Sequence, residues 1–160
     1  YFKEIRDYLI EKYHAVSYAE LEADDLVLIT SNVLKAAGRD CFISSPDKDV
    51  LNLEGEHYNY QKKSWWMTNK TQANLYFWQS MITGDSGDGI KGIPGKGIKY
   101  AEEVINDLDT NYTSIMLSEY MKHFGEYLGI QEFYKNYLTL KLLDRHPEYE
   151  QVIPEPYSVV

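Results

Sequence analysis

The spacing of hydrophobic and polar residues predicts helices near the start of the chain and short strands after them. Residues 1–14 place apolar side chains at helical spacing with charges between them, which predicts an amphipathic helix. A second helix is predicted over residues 22–37, and Gly38 supplies its stop. The stretch "AVSYAEL" between the two helices fits either a strand or a loop.

The middle of the chain has the composition of a small sheet. The segment "RDCFISS" is rich in β-forming residues and predicts a short buried strand. Because a helix followed by such a strand is half of a parallel α/β unit, the sheet is expected to be mostly parallel. "EHYNYQ" and "SWWMT" predict further strands, joined as a hairpin across two lysines, and residues 71–83 predict an apolar helix.

The pattern becomes helical after a glycine-rich segment. Helices are predicted in "IKYAEEVINDL", in "TSIMLSEYMKHF" after the turn "DTNY", and in "IQEFYKNYLTLKLLD" after Gly129, with an irregular tail beyond them. The sequence therefore predicts an α/β half over residues 1–83 and a helical half over residues 84–160, in one continuous domain.

Composition narrows the possible classes of protein. Hydrophobic residues make up 44% of the chain, which indicates a packed core rather than disorder. Cys41 is the single cysteine, so an intrachain disulfide and a cysteine-rich zinc site are excluded. No apolar run approaches the roughly 20 residues of a membrane span, which predicts no membrane partner. The formal net charge of -9 argues at face value against a nucleic-acid partner.

The distribution of the acids changes that conclusion, because seven of them fall in three tight groups. "EADD" supplies Glu22, Asp24 and Asp25 at the start of a predicted helix, where capping and the helix dipole are an alternative explanation. "SPDKD" supplies Asp47 and Asp49 beyond a predicted strand. If the chain stays extended there, both carboxylates point the same way, and a turn is the alternative.

The third group is "GDSGD", with Asp85 and Asp88, for which a plain Asp/Gly loop is the alternative. All three groups lie at predicted element ends, which an α/β frame brings to one edge. Like charges held close together either have raised pKa values or require cations, and oxygen ligands favour Mg²⁺ or Mn²⁺. Two such ions roughly 4 Å apart cleave phosphodiesters in many enzymes. Setting the seven acids aside changes the formal net charge from -9 to -2.

A basic, glycine-rich segment follows the third group directly. In "KGIPGKGIK", Lys91, Lys96 and Lys99 form a local positive patch, and a tight glycine turn opening a helix lets backbone N–H groups approach a phosphate. A glycine hairpin that serves only as a connector is the alternative. The sequence therefore favours a phosphate-binding element beside the acids.

The ordered set "EADD", "SPDKD" and "ITGDSGDGIKGIPGKGIKYA" resembles the 5′-nuclease superfamily of bacteriophage and bacterial 5′→3′ exonucleases and flap endonucleases. The resemblance implies a PIN-like α/β fold that binds two Mg²⁺ or Mn²⁺ ions, in a bacterial or phage-infected cytoplasm. It assigns Glu22, Asp24 and Asp25 mainly to one ion and Asp49, Asp85 and Asp88 mainly to the other. Asp47 falls between these two sets.

The resemblance also makes residues 90–101 a helix–hairpin–helix-like element that grips duplex DNA and holds a K⁺ ion on the carbonyls of the turn over residues 92–97. The residues implied to bind DNA are Lys91, Gly92, Ile93, Gly95, Lys96, Gly97 and Lys99. The family's first strand, with its own metal-binding Asp, and its basic arch have no counterpart here. We therefore expect a fragment, or a missing N-terminal segment supplied by the same protein or by another chain.

Three functions compete on these grounds. The leading hypothesis is a two-metal 5′→3′ exonuclease or flap endonuclease acting on DNA 5′ ends, flaps or duplex. A second is a duplex-DNA-binding module without catalysis, since the turn-helix element is whole. A third is a phosphatase-like enzyme that uses a covalent Asp of "DKD", although no apolar strand directly precedes a suitable nucleophile motif.

Overall fold

The computed structural model describes residues 1–18, 21–106 and 111–144. Its helices are α1 (Phe2–Tyr13), α2 (Ala23–Ala36), α3 (Lys70–Thr83), α4 (Ile98–Val104), α5 (Tyr112–Phe124) and α6 (Glu126–Leu140). Its strands are β1 (Phe42–Ser44), β2 (Gly55–Asn59), β3 (Ser64–Thr68), β4 (Gly84–Asp85) and β5 (Ile90–Lys91), and a 3₁₀ helix spans Asp49–Asn52. This order confirms the predicted α/β class.

The main sheet contains three strands in the order β1-β2-β3. β1 pairs with β2 in parallel, and β2 pairs with β3 antiparallel, which confirms the predicted hairpin. The hairpin turn forms because the side-chain oxygen of Asn59 accepts hydrogen bonds from the backbone N–H groups of Gln61 and Lys62. The direct return of β3 makes the sheet mixed, with one parallel and one antiparallel pairing.

The two faces of this sheet differ in burial. Ile43 and His57 are buried on one face, where the ring of Trp66 stacks on the imidazole of His57 with 5.2 Å between centroids. Phe42 and Trp65 lie exposed on the other face, in edge-on contact. The alternation follows from the two-residue period of a strand.

In the part of the chain that the structure describes, two separate clusters of buried side chains stabilise the fold. The smaller core lies between the sheet, α2 and the 3₁₀ helix and consists of Ile43, Val50 and Leu53. The larger core joins α3, α4, α5 and α6 and consists of Trp78, Met81, Ile82, Ile93, Ala101, Ile105, Met116, Tyr120 and Phe133. Since α3 also contacts the 3₁₀ helix, it links the two cores.

The helical half differs from the sequence prediction at the end of α4 and at both ends of α6, which ends at Leu140 rather than Asp144. α6 begins at Glu126, so Gly129 lies inside the helix rather than before it. A Cβ on Gly129 would come within 2.5 Å of the Cα of Met121, so this glycine permits close packing of α5 and α6. α4 ends at Val104 because Ile105 turns into the larger core in an extended conformation.

The first helix, α1, has no buried residue. "AVSYAEL" forms no strand in its described residues, and its Ala19 and Glu20 lie outside them, as do residues 107–110, which include the first two residues of "DTNY", and the tail from 145. Among the helices that the structure describes, none combines the length and hydropathy that a membrane span requires.

Candidate metal centre

The turn after β1 is built by the side chains of the second acidic group. The Oγ of Ser45 accepts a hydrogen bond from the N–H of Asp47 at 3.1 Å, and the Oδ1 of Asp47 accepts one from the N–H of Asp49 at 3.1 Å. These bonds bend the chain so that the 3₁₀ helix begins at Asp49. The extended arrangement considered for Asp47 and Asp49 is therefore wrong, and the turn alternative is confirmed.

The third acidic group lies on a short hairpin, β4 and β5 with their connecting loop, which we call the acidic hairpin (residues 84–91). Asp85 pairs with Ile90 across it, and the Oδ1 of Asp85 accepts a 2.8 Å hydrogen bond from the N–H of Gly87. Gly84 has a φ of 71°, and a Cβ added to Gly92 would lie 2.1 Å from the carbonyl oxygen of Ile82. Glycine is therefore needed at both positions: Gly84 turns the chain out of α3, and Gly92 packs against the end of that helix.

The two turns bring three carboxylates together. Asp49, Asp85 and Asp88 each place one oxygen so that all three oxygens lie within 4.8 Å of one another. Asp85 is buried, Asp49 is half-buried and Asp88 is exposed, so the group opens to solvent on one side. We call these three residues the carboxylate cluster.

A lysine that the sequence analysis did not select contacts this cluster. The Nζ of Lys48 lies 2.5 Å from the Oδ2 of Asp85 and donates a hydrogen bond to it. The signal was present in the sequence, since Lys48 stands between the two acids of "SPDKD". The turn that presents Asp49 therefore also carries a counter-charge.

The pKa values of these groups are shifted because several carboxylates crowd around the ammonium group of Lys48. Burial raises the pKa of Asp49, and the neighbouring charges of Asp47 and Asp85 raise it further. The hydrogen bond from Lys48 lowers the pKa of Asp85 despite its burial, and the same bond raises the pKa of Lys48. An additional cation close to these oxygens would relieve the repulsion that Asp49 experiences.

The donor set fits a hard divalent cation. Three carboxylate oxygens within 4.8 Å of one another match the oxygen ligands that Mg²⁺ and Mn²⁺ prefer, and no sulfur or imidazole takes part in the group. The site residues present are therefore compatible with the metal expected from the sequence.

The first acidic group takes part in other contacts. Glu22 is the exposed N-cap residue of α2 and makes no side-chain capping bond. The Oδ1 of Asp24 accepts a 3.0 Å bond from the N–H of Asp25, and the Oδ1 of Asp25 accepts a 2.7 Å bond from the N–H of Leu143. Within the described residues, none of these acids, nor Asp47, belongs to the carboxylate cluster, and their role as metal ligands stays a prediction.

The basic segment continues from the acidic hairpin into α4. Lys91 and Lys99 are exposed, and the Nζ of Lys96 lies 4.1 Å above the ring of Tyr100. Ile93 is buried in the larger core, and its N–H donates to the carbonyl oxygen of Ile82. The turn itself closes through a 3.1 Å bond from the N–H of Lys96 to the carbonyl oxygen of Ile93.

The glycines of this segment have distinct places in the turn. Gly95 has a φ of 73°, and Gly97 is the N-cap residue of α4. Binding of DNA by these residues, and of K⁺ by the carbonyls of residues 92–97, stays a prediction.

No family model matches the chain. It is 30% identical over 128 residues to flap endonuclease Xni of Shewanella piezotolerans, covering 70% of this chain and 49% of that protein. It is 32% identical over 101 residues to flap endonuclease Xni of Shewanella amazonensis, covering 58% and 40%. A third match is DNA polymerase I of Rhizobium leguminosarum, 33% identical over 105 residues, covering 56% and 10%. The chain therefore spans about half the length, or less, of the curated relatives it matches.

Solved structures share the fold. A mutant of the bacteriophage T5 5′-exonuclease superposes with a TM-score of 0.71 at 15% identity, covering 89% of this chain and 65% of that one. The bacteriophage T5 flap endonuclease, solved as a pseudo-enzyme–product complex with DNA and metal ions, superposes with a TM-score of 0.71 at 14% identity, covering 89% and 58%. At these identities the likeness concerns the fold.

Proposed function

Because this chain belongs to the 5′-nuclease superfamily, we propose that it forms part of a metal-dependent nuclease that hydrolyses DNA phosphodiester bonds at 5′ ends or flaps. The observation that carries this proposal is the convergence of Asp49, Asp85 and Asp88, from two distant turns, to within 4.8 Å. Such convergence brings like charges close together, and their repulsion is offset where the carboxylates bind a cation.

The chain's own residues have separate tasks in this proposal. The carboxylate cluster holds a divalent ion, which when bound supplies Lewis acidity to the reacting phosphate. The N–H of Gly87 fixes the orientation of Asp85, and Lys48 balances part of the cluster's charge. Each bond restricts an oxygen to one direction, which is what a preorganised ligand requires.

The remaining predicted acids serve a second ion in this proposal. Glu22, Asp24, Asp25 and Asp47 offer further oxygens, and Asp25 already uses one of its two oxygens for the N–H of Leu143. The identity of each ion as Mg²⁺ or Mn²⁺ is part of the proposal, supported by the all-oxygen donor set.

DNA is the proposed partner of the basic segment. Lys91, Lys96 and Lys99 follow the carboxylate cluster in the chain and supply positive charge for a phosphate backbone. The likeness to a T5 flap endonuclease solved with DNA supports this assignment. K⁺ bound by carbonyls of residues 92–97 would add to that charge.

The test is cleavage of a 5′-flap DNA substrate by Asp88→Asn. Asp88 is the exposed member of the carboxylate cluster, so its neutralisation removes a ligand with little change in packing. We expect cleavage in Mg²⁺ or Mn²⁺ to be lost while the circular dichroism spectrum and melting temperature are retained. The matched control is Asp40→Asn, an exposed acid outside the cluster, which should cleave normally. Full cleavage by Asp88→Asn would contradict the proposal.

A second candidate is a duplex-DNA-binding module without catalysis. It is favoured by one observation: among the described residues, the group of carboxylates close enough to share an ion does not include Glu22, Asp24 or Asp25. The same assay distinguishes the two functions. A module would bind duplex DNA in a salt-dependent way yet give no turnover with either ion.

A further inference from the structure

A buried polar network lies beneath the acidic hairpin and is used by neither proposed function. The hydroxyl of Tyr120 donates to the carbonyl oxygen of Met81 at 2.5 Å. The Nδ2 of Asn136 donates to the hydroxyl oxygen of Tyr120 at 2.7 Å and to the carbonyl oxygen of Lys91 at 2.7 Å. Tyr120 is fully buried and Asn136 is 2% exposed. These three bonds join α5 and α6 to both ends of the segment that carries Asp85 and Asp88.

The network satisfies both donors of a buried side-chain amide and gives the carbonyl oxygen of Met81 a hydrogen-bond donor. The amide nitrogen of Asn136 has two hydrogens, and each finds an acceptor. The Met81 carbonyl lies in the last turn of α3, where carbonyls lack intrahelical partners. Its neighbour Ile82 accepts from the N–H of Ile93 at 2.8 Å. The end of α3 is therefore capped by side-chain and backbone groups that come from later in the chain.

Burial keeps the Tyr120 hydroxyl in the form that the network needs. Burial raises the pKa of Tyr120 to about 12, so the hydroxyl is protonated and donates at any ordinary pH. The network therefore does not depend on pH within the range in which nucleases are assayed.

The two carbonyl groups that accept these bonds, those of Met81 and Lys91, lie on either side of Asp85 and Asp88 in the chain. Met81 comes four residues before Asp85, and Lys91 comes three residues after Asp88. Between the hairpin and α6 lies a cleft of about 470 Å³, lined by Gly89, Ile90 and Lys135 among others. Beside this cleft, the bond from Asn136 to the carbonyl oxygen of Lys91 connects α6 to β5.

We propose that Tyr120 and Asn136 are positioning residues for the carboxylate cluster. They hold both ends of the hairpin at a fixed distance from α5 and α6, so that Asp85 and Asp88 reach the same ion as Asp49. The proposal rests on the proposed function, because it requires that the cluster binds a divalent ion. Neither residue contacts that ion.

The test compares Mn²⁺ affinity of the complete protein with that of Tyr120→Phe, measured by calorimetry and electron paramagnetic resonance without DNA. The variant removes one hydroxyl and keeps the ring. Residues that orient metal ligands typically change affinity about 10-fold or more, and we expect a loss of that size. The matched control is Tyr137→Phe on α6, whose hydroxyl accepts from Lys141 and has no bond to the hairpin. It should bind Mn²⁺ as the unmodified protein does.

A second variant separates positioning from stability. Asn136→Ala removes both amide donors, and all measurements are made at a temperature where circular dichroism shows every variant folded. The double variant should lose less affinity than the sum of the two single losses, because both act through one network. If one of the two single variants fails to fold, the other is compared with the unmodified protein on its own.

The outcomes distinguish the two proposals. Equal Mn²⁺ affinity in Tyr120→Phe, Asn136→Ala and the unmodified protein, with only the melting temperature lowered, would overturn the positioning role alone. Absence of Mn²⁺ binding in the unmodified protein would overturn the proposed function and the positioning role with it.

Discussion

The sheet region (residues 42–68) and the helical region (residues 70–140) contribute to the same carboxylate cluster but hold their acids differently. Asp49 stands on a turn formed by its own neighbours, above a smaller core of three buried residues. Asp85 and Asp88 stand on a hairpin held by nine buried hydrophobic residues and a buried polar network. The difference teaches that the candidate metal centre has one locally determined ligand and two that depend on distant parts of the chain.

The largest expected effect is on the free energy of unfolding when one buried side chain is truncated in each core. Phe133→Ala should lower the free energy of unfolding by about 4 kcal/mol and Leu53→Ala by about 2 kcal/mol, because Phe133 loses more buried atoms and a small core collapses more easily around a cavity. Urea denaturation followed by circular dichroism measures both. A larger loss for Leu53→Ala would reverse the comparison.

The next effect concerns the close contact between the hairpin and the end of α3. Gly92→Ala places a Cβ 2.1 Å from the carbonyl oxygen of Ile82, and such overpacking costs about 3 kcal/mol. Gly97→Ala is the control, since nothing lies within 4 Å of its Cβ and its φ is negative. Equal denaturation midpoints for the two variants would show that the hairpin is held less tightly than its geometry indicates.

The smallest effect tests an ionisable contact within the helical region. Burial acts to raise the pKa of Glu119, but hydrogen bonds from Tyr100 and Lys122 outweigh it and lower the pKa below its ordinary value of 4.5. The carboxylate therefore stabilises the fold above pH 4.5, and this contribution is lost as the pH falls through the lowered value. Melting temperatures between pH 6 and pH 3 should fall less steeply for Glu119→Gln. Parallel curves would contradict this.

Much of the fold follows from local pattern, and those parts were predicted. The apolar spacing of α1, α2 and α5 and the hairpin of β2 and β3 need only near neighbours along the chain. The predicted start of α6 was wrong because Gly129 lies inside the helix, where it packs against Met121 of α5. Helical periodicity does not report such contacts between helices.

The candidate site, like the fold, could be predicted from the sequence only in part. The three acidic groups stand out by composition, and the structure brings Asp49, Asp85 and Asp88 together. The pairing of Lys48 with Asp85 spans 37 positions, and the bond from Asn136 to Lys91 spans 45. Contacts between positions so far apart depend on tertiary packing, which residue spacing alone does not encode.

The distribution of the indole side chains has a practical consequence. Trp66 lies against the smaller core, Trp65 is 54% exposed on the opposite face of the sheet, and Trp78 is buried in the larger core. Each region thus contains its own intrinsic fluorophore. Replacing either Trp78 or the Trp65–Trp66 pair by Phe would leave tryptophan emission from one region only, so that fluorescence spectroscopy could follow each region's melting without an attached dye.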